Sequence, residues 1–268
     1  MDESDLRELQ LATLGILKDV RDVCARHGIR FYLAYGTLIG AIRHQGFIPW
    51  DDDIDIMMMR EDYERLFAVR DELGENYIVQ DYRTTPEFWS FHAKIRLLWP
   101  KPFRDTQVSH LTDKDGLFID IFVLDHVPAR RSPAVSAMTV LLDYTRLVLS
   151  AHQYGQYDPS PLIRTLSVVA KAVPKRLLAR IMNWGCGHWN DHPTDWVVCW
   201  GGVVNHVPQI SPASDFGGPV MVDFEDDEMP VPAEYDAWLT QFYGDYMQAP
   251  PPGQRGSTHS FVRVGDAP

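Results

Sequence analysis

Phe47-Ile48-Pro49-Trp50-Asp51-Asp52-Asp53-Ile54-Asp55-Ile56 places two carboxylates two residues apart among apolar neighbours. Asp53 and Asp55 alternate with Ile54 and Ile56, the period-2 pattern of a strand. Side chains at i and i+2 of a strand point to one face, roughly 6–7 Å apart. Two acids held that close repel unless a cation lies between them. Oxygen ligands at this spacing suit Mg²⁺ or Mn²⁺, above all an ion also bound by substrate phosphates. The run predicts a phosphoryl-transfer site. Two plainer readings compete with it. Asp51, Asp53 and Asp55 fall at the first three ligand positions of a calcium loop and Asp62 at the twelfth, but Ile56 stands where that loop needs glycine. The other is a solvated acidic turn.

Upstream, Phe31-Tyr32-Leu33-Ala34-Tyr35 reads as a short buried strand, with Gly36-Thr37 turning into a helix that ends near Arg43-His44. Glycine there lets the backbone approach a ligand closely, and free amides at the helix start attract phosphate oxygens. Downstream, Gly116-Leu117-Phe118-Ile119-Asp120-Ile121-Phe122-Val123 is a strongly apolar strand interrupted by one acid. Such an acid is costly to bury unless it is paired or liganded. An edge position or a salt bridge is the alternative reading of Asp120. Strand, Gly-Thr turn, helix, an Asp-x-Asp strand and a third carboxylate resemble the layout of the nucleotidyltransferase superfamily.

The segment from Tyr35 through Met57 is similar to the signature of the LicD family, to which fukutin and fukutin-related protein belong. The resemblance extends through Arg60-Glu61-Asp62-Tyr63, Lys94-Ile95-Arg96 and Gly116 to Asp125. It resumes at Val222-Asp223-Phe224-Glu225, Val231-Pro232 and Tyr243-Gly244-Asp245-Tyr246. It implies an α+β fold, a nucleotidyltransferase-like mixed sheet flanked by helices. It also implies transfer of a phospho-alcohol, such as phosphocholine or ribitol phosphate, from a CDP-linked donor to a hydroxyl of a glycan or lipid-linked glycan. The middle, about 130–215, matches no named pattern. The chain is therefore expected to be one domain over 1–268 with a helical insertion at 130–195.

Composition is compatible with this. The 268 residues are 45% hydrophobic, enough for a substantial core. With 25 Lys and Arg against 37 acids, the net charge is −12, which argues against nonspecific nucleic-acid binding. Cys24, Cys186 and Cys199 make no disulfide framework and favour a reducing compartment. Met1-Asp2-Glu3-Ser4-Asp5 lacks the basic and apolar regions of a signal peptide. Asp143, Arg146 and Lys171 interrupt the longest apolar runs, so no membrane span is expected. A cytoplasmic protein follows, with the inner face of the membrane as an alternative location.

An amphipathic helix opens the chain, with Leu6, Leu9, Ile16, Leu17, Val20, Val23 and Cys24 on one face, Thr13 as its polar break and Gly28 as its stop. A second helix is expected over Glu61–Leu73, stopped by Gly74. Strands are expected near Tyr77–Asp81 and Ser90–Leu98, and helices over Ala134–His152 and Pro161–Met182, the latter broken at Pro174. Residues 196–225 read as short strands. A closing helix runs from Pro232 to Tyr243 before Gly244. Phe224-Glu225-Asp226-Asp227-Glu228 reads as a hairpin tip.

Further candidates follow. Lys94 and Arg96 share one strand face and either meet the donor's diphosphate or face solvent as an edge pair. Arg43 and His44 either contact phosphate and orient an aspartate or simply end a surface helix. His259, near Arg255 in the tail, is a candidate to fold over the site. Cys186, His188, His192 and Cys199 offer Zn²⁺ ligands but lack a standard zinc-finger spacing. Cysteines packed beside Trp184, Trp196 and Trp200 are the other explanation. Pro161–Met182 carries Arg164, Lys171, Lys175, Arg176 and Arg180 and no acid. It either faces a membrane surface or anionic lipid-linked acceptor, or balances the acidic remainder.

The expected mechanism is metal-assisted phosphoryl transfer. Asp53, Asp55 and Asp120 hold one or two Mg²⁺ ions, Gly36 and Thr37 cradle phosphate, and Asp120, Asp51 or Asp52 accepts the acceptor's proton. CMP leaves. Nucleotidyl transfer from a nucleoside triphosphate and a non-catalytic nucleotide-binding protein are the rival readings. A choline headgroup would favour an aromatic box, and 8 Trp, 11 Tyr and 12 Phe are available to build one.

Overall fold

The computed structural model describes residues 2–81, 83–85, 92–109, 112–129, 132–154, 161–204, 207–256 and 259–265. These form an α+β structure with seven α-helices and eleven strands among the described residues. The chain divides into two compact units. One comprises Met1–Gln80, His92–Val123 and Ser214–Pro268, and the other Asp81–Phe91 and Leu124–Ala213. The second is broader than the expected insertion at 130–195 because it includes strands as well as helices.

In the first unit, α1 (Glu3–His27) begins at Asp2, whose side chain accepts from the Asp5 N–H at 2.8 Å. Its first turn carries Glu3 and Asp5 and its last turn Arg26 and His27, each complementing the helix dipole. Gly28 closes it in the left-handed conformation at φ 58°. Leu9, Leu17 and Val20 are fully buried along one stripe. Each contributes about 1.5–3 kcal/mol by leaving water. Thr13, the polar break, is buried too, and its hydroxyl donates back to the Leu9 and Gln10 carbonyls.

After α1 come β1 (Tyr32–Leu33), α2 (Tyr35–His44), β2 (Asp55–Met59) and α3 (Arg60–Ala68). Helix α3 ends before the expected Leu73, and a short 3₁₀ turn at Arg70–Leu73 carries the chain to Gly74. Strands β3 (Tyr77–Gln80), β4 (Ala93–Leu97), β5 (Phe103–Asp105) and β6 (Phe118–Val127) follow. The strand order is β1-β2-β6-β4-β3. Thus β2 and β6, which carry the acids, are both interior strands, and β4 lies between β6 and β3. Later segments add the hairpin β9 (Val220–Phe224) and β10 (Asp227–Val231), then α7 (Tyr235–Tyr243) and β11 (Phe261–Arg263). The acidic tip at Glu225–Asp227 is the hairpin turn. Arg7, Lys18 and Arg21 of α1 pair with Glu225, Asp226 and Asp227 respectively.

The second unit contains α4 (Pro133–Tyr154), α5 (Pro161–Ala170) and α6 (Lys175–Gly187), then β7 (Trp196–Val204) and β8 (Val207–Pro212). Strand β7 pairs antiparallel with the end of β6, Leu124 opposite Cys199, and with β8. Val127, Val135, Met138, Leu142, Leu149 and Met182 are among the residues of its core. By length and composition alone, Pro133–His152 is long and apolar enough to cross a membrane. Asp143 and Arg146, expected to interrupt it, instead pair across one turn at 3.6 Å. Cys186, His188, His192 and Cys199 lie in this unit. Among the described residues, the metal-type ligand atoms that gather are those of Asp52, Asp53 and His259, with no member from this unit. Cys199 is buried in β7, and His188 packs against Trp184 and Trp189. Aromatic packing of His188 and burial of Cys199 account for those two residues without a metal.

Candidate active site

The acidic run is pinned from two sides. The Asp55 N–H donates to the Thr37 hydroxyl at 2.8 Å, and the Asp55 carbonyl accepts from the Ala34 N–H at 2.9 Å. Next to it, the Ile54 carbonyl accepts from the Asp120 N–H at 2.9 Å. The start of α2, the start of β2 and the middle of β6 therefore meet at one point. Asp55 and Asp120 are both buried there.

Burial and mutual repulsion dominate their electrostatics. Burial, then the charges of Asp53, Asp120 and Asp51, push the Asp55 carboxyl well above the usual carboxylate range. Burial and Asp53, which shares a side-chain hydrogen bond with it, push Asp51 up to about 8. Asp53 is raised by burial, an effect that His259 partly opposes and Asp120 reinforces. Asp120 departs from this pattern. Burial alone would raise it, but His92 and Lys94 outweigh that and hold it below its ordinary value. Lys94 and Asp120 occupy directly opposed positions of β4 and β6, and the ammonium sits 2.6 Å from Oδ1. His92 Nε2 lies 3.4 Å from the same oxygen, and burial lowers its imidazole to about 4.

A second group shares Asp53. Strand β11 pairs antiparallel with β5, Phe261 opposite Asp105, and this brings His259 to the acidic run. His259 Nδ1 lies 3.4 Å from Asp53 Oδ2 and 3.5 Å from Asp52 Oδ1. One ligand atom from each of the three falls within 4.8 Å of the others. Asp52, fully buried, carried no ligand role in the sequence reading. His259, read from the sequence as a candidate to fold over the site, lies there, although nothing in residue order names Asp52 and Asp53 as its partners.

The other expected site residues divide. At Gly36 an added Cβ would stand 2.7 Å from Asp51 Oδ2, so glycine is what lets that carboxylate rest against the first turn of α2. Gly36 and Thr37 belong to the helix itself, and the turn is made by Tyr35 at φ 45°. Arg43 and His44 stand at the other end of α2, about 10 Å along its axis. Arg43 donates to the Tyr246 carbonyl at 2.6 Å, and His44 meets the edge of Trp50. Arg255 covers Trp50 at 4.7 Å, so these groups form a cationic cluster beside the start of the acidic run.

Arg96 corrects the expectation of a donor contact. It is fully buried, donating to the Gly116 carbonyl at 2.6 Å and to Gln80 at 3.2 Å, with Asp105 at 3.4 Å. The Gly116 carbonyl, Gln80 and Asp105 surround its guanidinium, so its charge is met within the protein. Arg96 and Lys94 do share one face, both lying over the Phe118 ring.

Aromatic rings adjoin the acids. Tyr35 packs at 4.6 Å on Phe122 and 5.4 Å on Trp238, and His92 lies 4.9 Å from Phe122. A left-handed backbone at a bulky tyrosine costs about 1–3 kcal/mol, a cost found concentrated at functional sites. Tyr243, at the end of α7, is raised by burial and then by the charges of Asp55, Asp51 and Asp53.

Residues 28–131 match a family model described as LicD/FKTN/FKRP, nucleotidyltransferase domain. They contain both acidic strands and the Gly36 helix. The lipopolysaccharide cholinephosphotransferase LicD of Haemophilus influenzae is 30% identical over 271 residues, covering 94% of this chain and 94% of that protein. The human ribitol 5-phosphate transferase FKRP is 39% identical over 140 residues, which is 46% of this chain and 26% of that protein. An uncharacterised protein of Rickettsia prowazekii is 44% identical over 52 residues, 19% of this chain and 20% of that protein. With one relative matched across nearly its whole length and the family model centred on the acidic strands, the chain belongs to the LicD family.

Proposed function

We propose that this protein is a metal-dependent phosphotransferase that moves a phospho-alcohol, phosphocholine-like, from a CDP-linked donor to a hydroxyl of a glycan or lipid-linked glycan, with CMP leaving. The observation that carries the reading is the burial of Asp51, Asp53 and Asp55 close to one another and to Asp120, burial first and their neighbouring charges second raising these three carboxyls. Buried acids that repel one another fit a divalent cation. The expected oxygen ligands Asp53, Asp55 and Asp120 suit Mg²⁺ or Mn²⁺. Of the three, only Asp53 belongs to the group that gathers among the described residues, with Asp52 and His259, so Asp55 and Asp120 would have to close on the ion when it binds. Such an ion, when bound, neutralises the charge developing on the donor's phosphates.

The chain's own residues do the rest. Lys94 keeps Asp120 ionised and fixed in place. Asp120, held low, is a weak base, whereas Asp51, raised by burial and then by Asp53, is the stronger base for the acceptor's hydroxyl proton. Arg43 and Arg255 beside Trp50 replace Arg96 as the groups offered to the donor's diphosphate. Tyr35 and Phe122, both part-exposed, are aromatic rings suited to a quaternary ammonium, with buried Trp238 packed behind Tyr35. The strand order, with acids on β2 and β6 and a helix beginning at Tyr35, is read as nucleotidyltransferase-like. The relatives' names, cholinephosphotransferase and ribitol 5-phosphate transferase, point to the same class of reaction. The three free cysteines suit a reducing compartment such as the cytoplasm.

Thermal unfolding with CDP-choline, CDP-ribitol, CDP-glycerol and CTP, each with Mg²⁺, tests the donor class. A ligand that binds the folded state at about 100 times its Kd adds about 2.7 kcal/mol of stability. A rise with a CDP-alcohol is expected. Stabilisation by CTP alone, with pyrophosphate as product, would replace this reading with nucleotidyl transfer.

A further inference from the structure

We propose that the exposed face built by α4, α5 and α6 docks peripherally on an anionic phospholipid bilayer. Helix α4 packs against both α5 and α6. It is apolar on two sides. Val135, Met138, Leu142 and Leu149 face the core, while Val140, Leu141, Tyr144 and Leu147, recurring at helical spacing, are exposed. Tyr144 is 67% and Leu147 62% exposed. Helix α5 adds Val168 and Val169, and α6 adds Leu177 and Trp184, all exposed. A helix surface this apolar, left to water, marks an interaction site rather than ordinary surface.

Charge names the occupant. Residues 161–187 hold five bases and no acid in a chain of net charge −12. Arg176 and Arg180 share the exposed stripe of α6 with Leu177 and Trp184, and Arg164 shares that of α5 with Val168. Arg164, Arg176 and Arg180 make no ion pair among the described residues. Apolar side chains flanked by arginines, with Tyr and Trp among them, are the composition that lies in the headgroup region of a membrane. Anionic lipid is drawn to those bases. A twofold contact with a second copy would instead oppose this cationic face to itself. The inference stands apart from the transfer reaction and holds whatever the donor proves to be.

Flotation of the full-length protein with vesicles tests it. Vesicles of phosphatidylglycerol and phosphatidylcholine should carry the protein. Pure phosphatidylcholine should carry about tenfold less, and 0.5 M NaCl should release most of what is bound, because it shortens the screening length. Val168→Glu with Val169→Glu, and separately Arg176→Ser with Arg180→Ser, should each lower the bound fraction about tenfold while thermal unfolding stays unchanged. If the glutamate pair unfolds the protein, the serine pair and the salt series carry the test. Absence of flotation on anionic vesicles, equal binding to neutral ones, or binding unaffected by the folded variants would overturn the proposal. So would light scattering that shows a dimer abolished by these same substitutions.

Discussion

The ammonium of Lys94 lies 2.6 Å from Oδ1 of Asp120 across directly opposed positions of β4 and β6, with both side chains buried. The pair separates Asp120 from its acidic neighbours. Lys94 holds one carboxylate charged, while Asp51, Asp53 and Asp55 are pushed toward protonation by burial and by one another.

Removing one partner of a buried pair leaves an uncompensated charge, which costs about 3–5 kcal/mol. Lys94→Met should therefore lower stability by about that amount in urea unfolding at pH 7. It should also abolish turnover. Lys94→Met combined with Asp120→Asn should recover much of the stability and none of the activity. A double variant as unstable as the single one would show that Lys94 acts through packing on Phe118 rather than through its charge.

The raised acids set a pH dependence. An unfolded Asp titrates near 3.9, whereas Asp51 in the folded state titrates at about 8. Between these values the folded protein binds more protons than the unfolded chain, so stability falls as pH rises. In EDTA the melting temperature should drop from pH 5 to pH 8. Mg²⁺ should restore it most at pH 8. Asp55→Asn should flatten the drop and remove the response to Mg²⁺. A wild-type protein indifferent to Mg²⁺ at pH 8 would contradict the cation assignment.

Arg96 gives a contrasting expectation. Its guanidinium is wholly committed to Gly116, Gln80 and Asp105. Arg96→Met should cost about 3 kcal/mol of stability. Among molecules that remain folded, KM for the donor should stay within about twofold, a change of about 0.4 kcal/mol. Arg43→Ala should show the reverse, a raised KM with little loss of stability.

Gly36→Ala tests the close approach at the start of α2. The new Cβ would meet Asp51 Oδ2 at 2.7 Å, and a side-chain carboxylate can move away. Stability should change little. Displacing the proposed base should lower kcat/KM by about tenfold or more, which is about 1.4 kcal/mol. Unchanged kcat/KM would take Asp51 out of the reaction.

Much of this was readable from residue order where a local rule governs. The Leu9–Val20 stripe and the left-handed stop at Gly28 define α1, and the alternation of Asp53 to Ile56 marks the acidic strand. Where the rule was tertiary, order was silent. Arg96 reads as a ligand contact in residue order, and only the folded chain shows it fully buried with Asp105, Gln80 and the Gly116 carbonyl around it. His259 has no local relation to Asp52 or Asp53 and reaches them because β11 pairs with β5. Helix α3 stops at Ala68 although no breaker appears before Gly74, and the remaining residues continue as a 3₁₀ turn. Asp143 and Arg146 look like interruptions of an apolar run, but as a pair one turn apart they offset each other within α4.

The most direct measurement is product analysis with purified protein, CDP-choline, Mg²⁺ and a glycan acceptor bearing a free hydroxyl. Stoichiometric CMP and phosphocholine-modified glycan are expected from the wild type, with neither formed in EDTA or by Asp53→Asn or Asp55→Asn. CMP release that persists undiminished in either folded variant would contradict the account.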